Sequence, residues 1–206
     1  MKCVSRASLC VVVGILFAAC AGQPASPPRW LVLAPLAPVA TTPMTGDPAV
    51  IVGPVDLPAY TDRASLFVLH ADTELRALPD ARWAEPLARN VSRVLVENLS
   101  RVLGSGEVTT LGGAARPDSL QVAVEITEFV TTEEGAAELT AVWRVLGDGG
   151  RAVLASGKIR HVDPGTGREH AAHAAALSRA LAALSHEIGA ALRALPPGVR
   201  GSRAER

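Results

Sequence analysis

The second half of the chain contains three long segments of alternating apolar and polar side chains, and this pattern limits the fold more than any other feature. In residues 120–129, Leu, Val, Val and Ile occupy every second position from residue 120 to 126, which is the period of a strand with one buried face. Residues 136–146 and 151–162 follow, and the Gly-Asp-Gly-Gly sequence between them tolerates the positive φ of a tight turn. The pattern predicts an antiparallel meander of three strands.

Two segments with helical periodicity flank this meander. From residue 86 to residue 103 apolar side chains recur at steps of three and four, with Pro86 suited to a first turn and Gly104 suited to the end. Residues 171–195 repeat the pattern before a Pro-Pro-Gly sequence. We therefore expect an α+β domain with a mainly antiparallel sheet and two long amphipathic helices packed on one face.

Shorter strands are predicted earlier in the chain. Residues 30–33 form an apolar run, and the Pro-rich residues 34–48 predict a surface loop. Residues 49–55 predict a second strand, in which Gly53 and Pro54 indicate a sheet edge or a bulge because proline cannot donate to a central ladder. A hairpin is predicted over residues 65–70 and 73–78, with its turn at Ala71 and Asp72.

The first 20 residues have the pattern of a lipoprotein signal peptide. Lys2 and Arg6 precede an apolar run over residues 7–19, which is shorter than the roughly 20 residues that a membrane-spanning helix needs. The run ends in Leu-Phe-Ala-Ala-Cys, which resembles the bacterial lipobox, where small residues directly precede the cysteine. We expect residues 1–19 to be removed, so that Cys20 begins the mature chain.

The use of cysteine supports lipid attachment at Cys20. Cys3 and Cys10 lie in the segment expected to be removed, so Cys20 is left without a partner for an internal disulfide. A diacylglycerol on its sulfur and an acyl chain on its amino group would give the two lipid signals that stable anchoring needs. By resemblance to known sorting signals, Ala21 instead of Asp after the cysteine favours the inner leaflet of the outer membrane, facing the periplasm.

Length and charge suggest one domain with no affinity for nucleic acid. Residues 20–29 are predicted to be a lipidated tether, residues 30–196 a single α+β domain and residues 197–206 a disordered tail. Removal of Lys2 and Arg6 leaves 18 basic against 20 acidic side chains. This balance leaves no excess of positive charge for a phosphate backbone.

No combination of residues predicts catalysis, a cofactor or a metal site. His186 and Glu187 lack the second histidine four positions later that a zinc protease helix requires. His170 and His173 lack a third ligand at a suitable spacing apart from the adjacent Glu169, and we interpret both as helix-surface residues. Because a phosphate-binding loop and a Gly-x-Ser-x-Gly elbow are also absent, we expect a non-enzymatic domain that folds without metal or nucleotide.

Several short motifs follow one another along the chain. They are Val-Gly-Pro-Val-Asp-Leu-Pro-Ala-Tyr-Thr-Asp-Arg at 52–63, Trp-Ala-Glu-Pro-Leu at 83–87, Leu-Thr-Ala-Val-Trp at 139–143 and the final leucine-rich helix. In this order they resemble the ABC-type transport auxiliary lipoproteins. The chain departs from the family at residues 30–33, where a Tyr-rich start is usual, and at Thr61, where Leu is typical. The resemblance implies an outer-membrane partner of a transporter whose periplasmic component carries MCE domains, which moves lipids between the membranes and uses ATP in a separate cytoplasmic subunit.

Two classes of function remain open. One is a non-catalytic module that docks the MCE assembly and supports membrane integrity. The other is a structural lipoprotein of another envelope machine, such as one for outer-membrane assembly or cell-wall attachment.

The candidate partner-binding residues are Tyr60, Asp62 and Arg63, because they lie in a Pro-bounded loop close to the predicted sheet edge. The partner would be the MCE-domain protein or another copy of this chain. The alternative interpretation is that Tyr60 covers the edge of the core while Asp62 and Arg63 form a local ion pair. Trp83 and Trp143 are expected in the core.

Overall fold

The fold is an eight-stranded sheet with two helices. The structure, a computed structural model, describes residues 27–38, 40, 49–105, 107–113, 116 and 118–196. The strands are β1 (Arg29–Leu31), β2 (Val50–Asp56), β3 (Ser65–His70), β4 (Glu74–Trp83), β5 (Val108–Thr110), β6 (Leu120–Thr132), β7 (Ala137–Gly147) and β8 (Ala152–Asp163), and the helices are α1 (Leu87–Leu103) and α2 (His170–Ala194). Both helices and the inner sheet face share one apolar core, which confirms the α+β prediction. Cys20, the signal peptide, most of the tether and the tail lie outside the described residues.

The sheet is mixed, and not antiparallel throughout. Strands β6, β7 and β8 form the predicted antiparallel meander. The other side of β6 receives two strands end to end, because β2 pairs in parallel with its first half and β3 with its last residues. Strand β5 pairs in parallel with β2, while β4 completes the predicted hairpin with β3 and carries β1 in parallel. The longest ladders are antiparallel and the shorter additions are mostly parallel.

The prediction that residues 49–55 form an edge strand is wrong for the first part of β2. Residues 50–52 pair with β5 on one side and with β6 on the other. Strand β5 escaped prediction because three residues are too few to show an alternating pattern. The predicted bulge is present between Val52 and Val55, where the side-chain amide of Gln121 donates to the Gly53 carbonyl at 2.7 Å.

The two helices begin and end close to the predicted residues. Helix α1 follows Pro86 and stops at Gly104, whose left-handed conformation (φ 67°) directs its N–H back to the last turn. Helix α2 packs across α1 and over the meander. At their contact, the backbone of Gly189 lies against Val102 so closely that a Cβ at position 189 would collide with the valine side chain. No helix in the described part of the chain is long and apolar enough to span a membrane.

The two tryptophans expected in the core are buried there. Trp83 is 5% exposed and Trp143 is 4% exposed. The indole of Trp143 covers Gly157 on β8, where a Cβ would meet the ring, and its Nε1 donates to Glu187 at 2.7 Å. Glu187 therefore has a structural role in holding α2 on β7.

The interpretation of His173 as a helix-surface residue is wrong. Its side chain is only 1% exposed, and Nδ1 lies 2.8 Å from the Thr131 hydroxyl of β6. Burial lowers the pKa of the imidazole, because the charged form loses solvation, and this favours the neutral ring. This burial was not predictable from the local pattern, since alanines surround His173 and do not distinguish the two sides of the first helical turn.

Candidate functional site

A short 3-10 turn, Ala59–Thr61, carries the candidate binding residues between β2 and β3. Pro58 precedes it, and the Pro58 carbonyl accepts from both the backbone N–H of Thr61 (2.9 Å) and its hydroxyl (2.7 Å). The Thr61 hydroxyl thus stabilises the turn. This closed loop directs Tyr60 and Asp62 in different directions.

Tyr60 points inward and joins the turn to the sheet. Its hydroxyl accepts the backbone N–H of Phe129 at 2.9 Å, close to the register shift between Ile126 and Glu128 on β6. Burial raises the pKa of this phenol, so the side chain stays neutral. The structure thus gives Tyr60 the position of a residue that covers the core edge and holds the turn in place.

Asp62 and Arg63 point outward and line an open cleft of about 290 Å³. The opposite wall is the connection from β4 to α1, including Trp83, Glu85 and Pro86. The two motifs at 52–63 and 83–87 are separated in sequence by the whole β3–β4 hairpin, yet they meet at this cleft. The cleft is therefore lined mainly by residues of these two motifs.

Backbone hydrogen bonds fix both walls of the cleft. The N–H of Trp83 donates to the Ala64 carbonyl at 2.7 Å, and the N–H of Ala84 donates to the Leu31 carbonyl at 2.9 Å. These bonds continue the sheet past the ends of the regular strands. The loop of Asp62 and Arg63 therefore lies at a defined position on one side of β4. The end of β1 lies on the other side of β4.

Of the charged side chains at the cleft, Glu85 has an ion-pair partner within the described residues, whereas Asp62 and Arg63 do not pair with each other. Glu85 accepts from Arg93 at 3.3 Å, and the same guanidinium reaches the Asn90 side chain at 2.8 Å. Among the ion pairs of the described residues, none joins Asp62 to Arg63, so the interpretation of these two as a local ion pair is not supported. An exposed carboxylate and guanidinium on one rim can contact complementary charges of a partner. Glu85 was missed as a cleft residue, although its motif was recognised.

A second cavity beneath the turn is too small for a lipid chain. Tyr60, Phe67, Trp83, Phe129 and Leu177 contribute to its walls, and its volume is about 20 Å³. That volume holds one water molecule, whereas ligand pockets typically have about 300 to 1,000 Å³. Among the described residues, no group of three His, Cys, Asp or Glu side chains could hold a metal ion. The open cleft beside the turn is thus much larger than the cavity beneath it.

Comparison with known proteins identifies the relatives of this chain. A family described as the ABC-type transport auxiliary lipoprotein component matches residues 31–189. No curated protein matches the chain.

Solved structures with TM-scores above 0.6 share the fold. An uncharacterised protein is 18% identical with a TM-score of 0.66, over 81% of this chain and 99% of its own. Protein XCC0632 from Xanthomonas campestris, of the family DUF330, is 19% identical with a TM-score of 0.62, over 78% of this chain and 92% of its own. PelC from Paraburkholderia phytofirmans, a dodecamer, has a TM-score of 0.42 at 13% identity, over 77% of this chain and 94% of its own.

Proposed function

The chain belongs to the family of ABC-type transport auxiliary lipoprotein components, and on that premise we propose that it is the non-catalytic outer-membrane lipoprotein subunit of an MCE-type transport system. In this role it catalyses no reaction. It docks the periplasmic MCE-domain protein, and so supports lipid movement across the envelope and membrane integrity. ATP is used by a separate cytoplasmic subunit.

The observation that carries this proposal is the cleft between the two family motifs. Asp62 and Arg63 stand exposed on one wall and the β4–α1 connection forms the other. Tyr60 and Thr61 use their polar groups within the fold, which holds the charged rim in one conformation. A rim that is already ordered loses less conformational entropy when a partner binds.

The anchor is the second part of the proposal. Cys20 carries a diacylglycerol and an N-acyl chain, and these hold the domain at the inner leaflet of the outer membrane. Strand β1 begins nine residues after Cys20, and the end of β1 borders the cleft through the bond from Ala84 to Leu31. The lipid thus holds the docking surface close to the outer membrane. From there it contacts the MCE assembly.

The docking surface is tested with the double variant Asp62→Ala and Arg63→Ala. We expect affinity for the MCE-domain protein to fall by at least about 30-fold, equivalent to about 2 kcal/mol, as for residues that dominate an interface. Co-purification from envelope membranes and titration of the purified proteins measure it. Tyr60→Phe removes only the bond to Phe129. It therefore reports how much binding depends on the position of the turn, separately from direct contacts of Asp62 and Arg63 with the partner.

A matched control comes from the turn between β7 and β8. Asp148 and Arg151 form an exposed ion pair there, so Asp148→Ala with Arg151→Ala removes the same charges at another place. Unchanged co-purification of a well-folded Asp62/Arg63 variant would rule out this docking surface. Recovery of a different envelope machine with the wild-type protein would instead support the structural-lipoprotein alternative.

A further inference from the structure

The chain that leaves the tether presents an apolar ridge to solvent, formed by Trp30, Val32 and Leu36. These side chains are 64%, 54% and 46% exposed. They alternate with the buried Leu31 and Leu33, so an extended backbone places one set against the core and the other outward. Of the three tryptophans in the sequence, Trp30 alone is exposed in this way.

The backbone beneath the ridge is held by side chains from both helices. Ala34 donates to the Ser178 hydroxyl of α2 at 3.1 Å, and Ala37 donates to the buried Asn98 of α1 at 3.0 Å. Arg93 and Arg101 donate to the carbonyls of Leu33 and Pro35 at 3.3 and 3.0 Å. These bonds prevent the exposed apolar side chains from turning into the core.

The position of the ridge along the chain indicates that it contacts a membrane. Trp30 is ten residues from Cys20, and ten residues span at most about 35 Å even when fully extended. A lipid anchor at Cys20 therefore keeps Trp30 continually close to the bilayer surface. Tryptophan favours the membrane–water interface, where its ring is buried and its N–H remains hydrated. The exposed Arg29 adds a positive charge beside it, which suits anionic headgroups.

From these observations we propose that Trp30, Val32 and Leu36 insert into the interface of the same bilayer that holds the Cys20 lipid. The inference rests on the lipidation proposed above. The ridge is too small to hold a free protein on a membrane, but tethering makes its insertion an intramolecular step that needs little affinity. Insertion seats the β1 edge of the sheet on the bilayer. It leaves β8, five strand spacings or about 24 Å away, facing the periplasm.

Tryptophan fluorescence tests this proposal, because Trp83 and Trp143 are buried and give a constant background. The mature protein is reconstituted into vesicles of phosphatidylethanolamine and phosphatidylglycerol with brominated acyl chains. We expect partial quenching relative to vesicles without bromine, because the inserted Trp30 indole lies within reach of the brominated chains. This quenching should disappear in Trp30→Phe, a substitution that leaves the core unchanged.

A relocated tryptophan provides the control. Val153 on β8 is 61% exposed, so Trp30→Phe with Val153→Trp places an equally exposed indole at the opposite sheet edge, where we expect no quenching. Equal quenching of the wild type and Trp30→Phe would overturn the proposal, and so would quenching at position 153. Flotation of the vesicles and the mass of the Cys20 peptide report the anchor separately. A lipidated protein that floats without Trp30 quenching overturns the ridge proposal alone, and an unlipidated protein that does not float overturns both.

Discussion

At the scale of single residues, a pair of charged side chains holds the end of the sheet to the last helix. Arg179 donates two hydrogen bonds to Asp163, at 2.7 and 2.8 Å, and Gly165 donates its N–H to the same carboxylate at 2.9 Å. Asp163 is the last residue of β8, while Arg179 lies in the third turn of α2. The pair thus positions the connection that brings α2 back over the sheet.

Replacing Asp163 with Asn should lower stability in a pH-dependent way. The bonds from Arg179 lower the pKa of the Asp163 carboxyl below its usual value of 3.8. Its stabilisation is therefore present above about pH 4 and is lost as the pH falls through the lowered pKa. We expect Asp163→Asn to cost about 1 to 2 kcal/mol at pH 7, since Arg179 is partly screened by solvent. The difference from the wild type in urea unfolding should shrink below pH 4.

The exposed pair of Asp148 and Arg151 is the control for this prediction, because water surrounds both side chains. Asp148→Asn should change the free energy of unfolding little at any pH. A loss of stability in Asp163→Asn that stayed constant down to pH 2 would mean that packing, and not charge, explains the effect.

At the scale of elements, the contact between α1 and α2 depends on a missing side chain. Gly189 in α2 lies against Val102 of α1. Close by, Arg193 donates to the Val102 and Leu103 carbonyls at the end of α1, at 2.7 and 3.1 Å. The glycine allows this approach, and the arginine satisfies carbonyls that the helix end leaves without partners.

Gly189→Ala should destabilise the protein although alanine is the better helix former. Removing glycine from a helix interior gains about 1 kcal/mol, but the new Cβ collides with Val102, and overpacking typically costs about 1 to 3 kcal/mol. We expect a net loss of stability in thermal and urea unfolding. In a Val102→Ala background Gly189→Ala should cost little, because the side chain with which the new Cβ collides is shortened. Equal costs of Gly189→Ala in the two backgrounds would show that the collision with Val102 does not explain the loss.

At the scale of the whole molecule, one strand joins the two halves of the chain. Strand β6 pairs with β7 on one side and with both β2 and β3 on the other. The N-terminal strands and the C-terminal meander therefore complete a single sheet over a single core. The described chain enters this unit at β1, so a lipid at Cys20, as proposed above, would act on the domain as one body.

Cys20→Ser should block lipid attachment and leave an uncleaved precursor, because the signal pattern and the lone mature cysteine both point to Cys20. Incorporation of labelled palmitate and the size of the product measure this outcome. Cys10→Ser, a cysteine substitution within the signal peptide, is the matched control and should label as the wild type does. Labelled Cys20→Ser protein would disprove the assignment of the anchor.

Local periodicity determined the longer regular elements. The stripe of α1, the stripe of α2, the β3–β4 hairpin and the meander each repeat over enough residues for the pattern to be read without knowledge of the rest of the chain. Proline and glycine at their ends marked the boundaries, as at Pro86 and Gly104. The family motifs, including Tyr60, Asp62 and Arg63, were also present in the sequence alone.

Only the tertiary structure decided which distant segments meet. The pairing of β2 with β5, the burial of His173 against Thr131 and the bond from Trp143 to Glu187 join residues that are far apart in sequence. The cleft arises in the same way, because the β3–β4 hairpin returns the chain so that Trp83 bonds to Ala64. Such contacts depend on register and on the packing of whole elements, and the local sequence pattern does not contain that information.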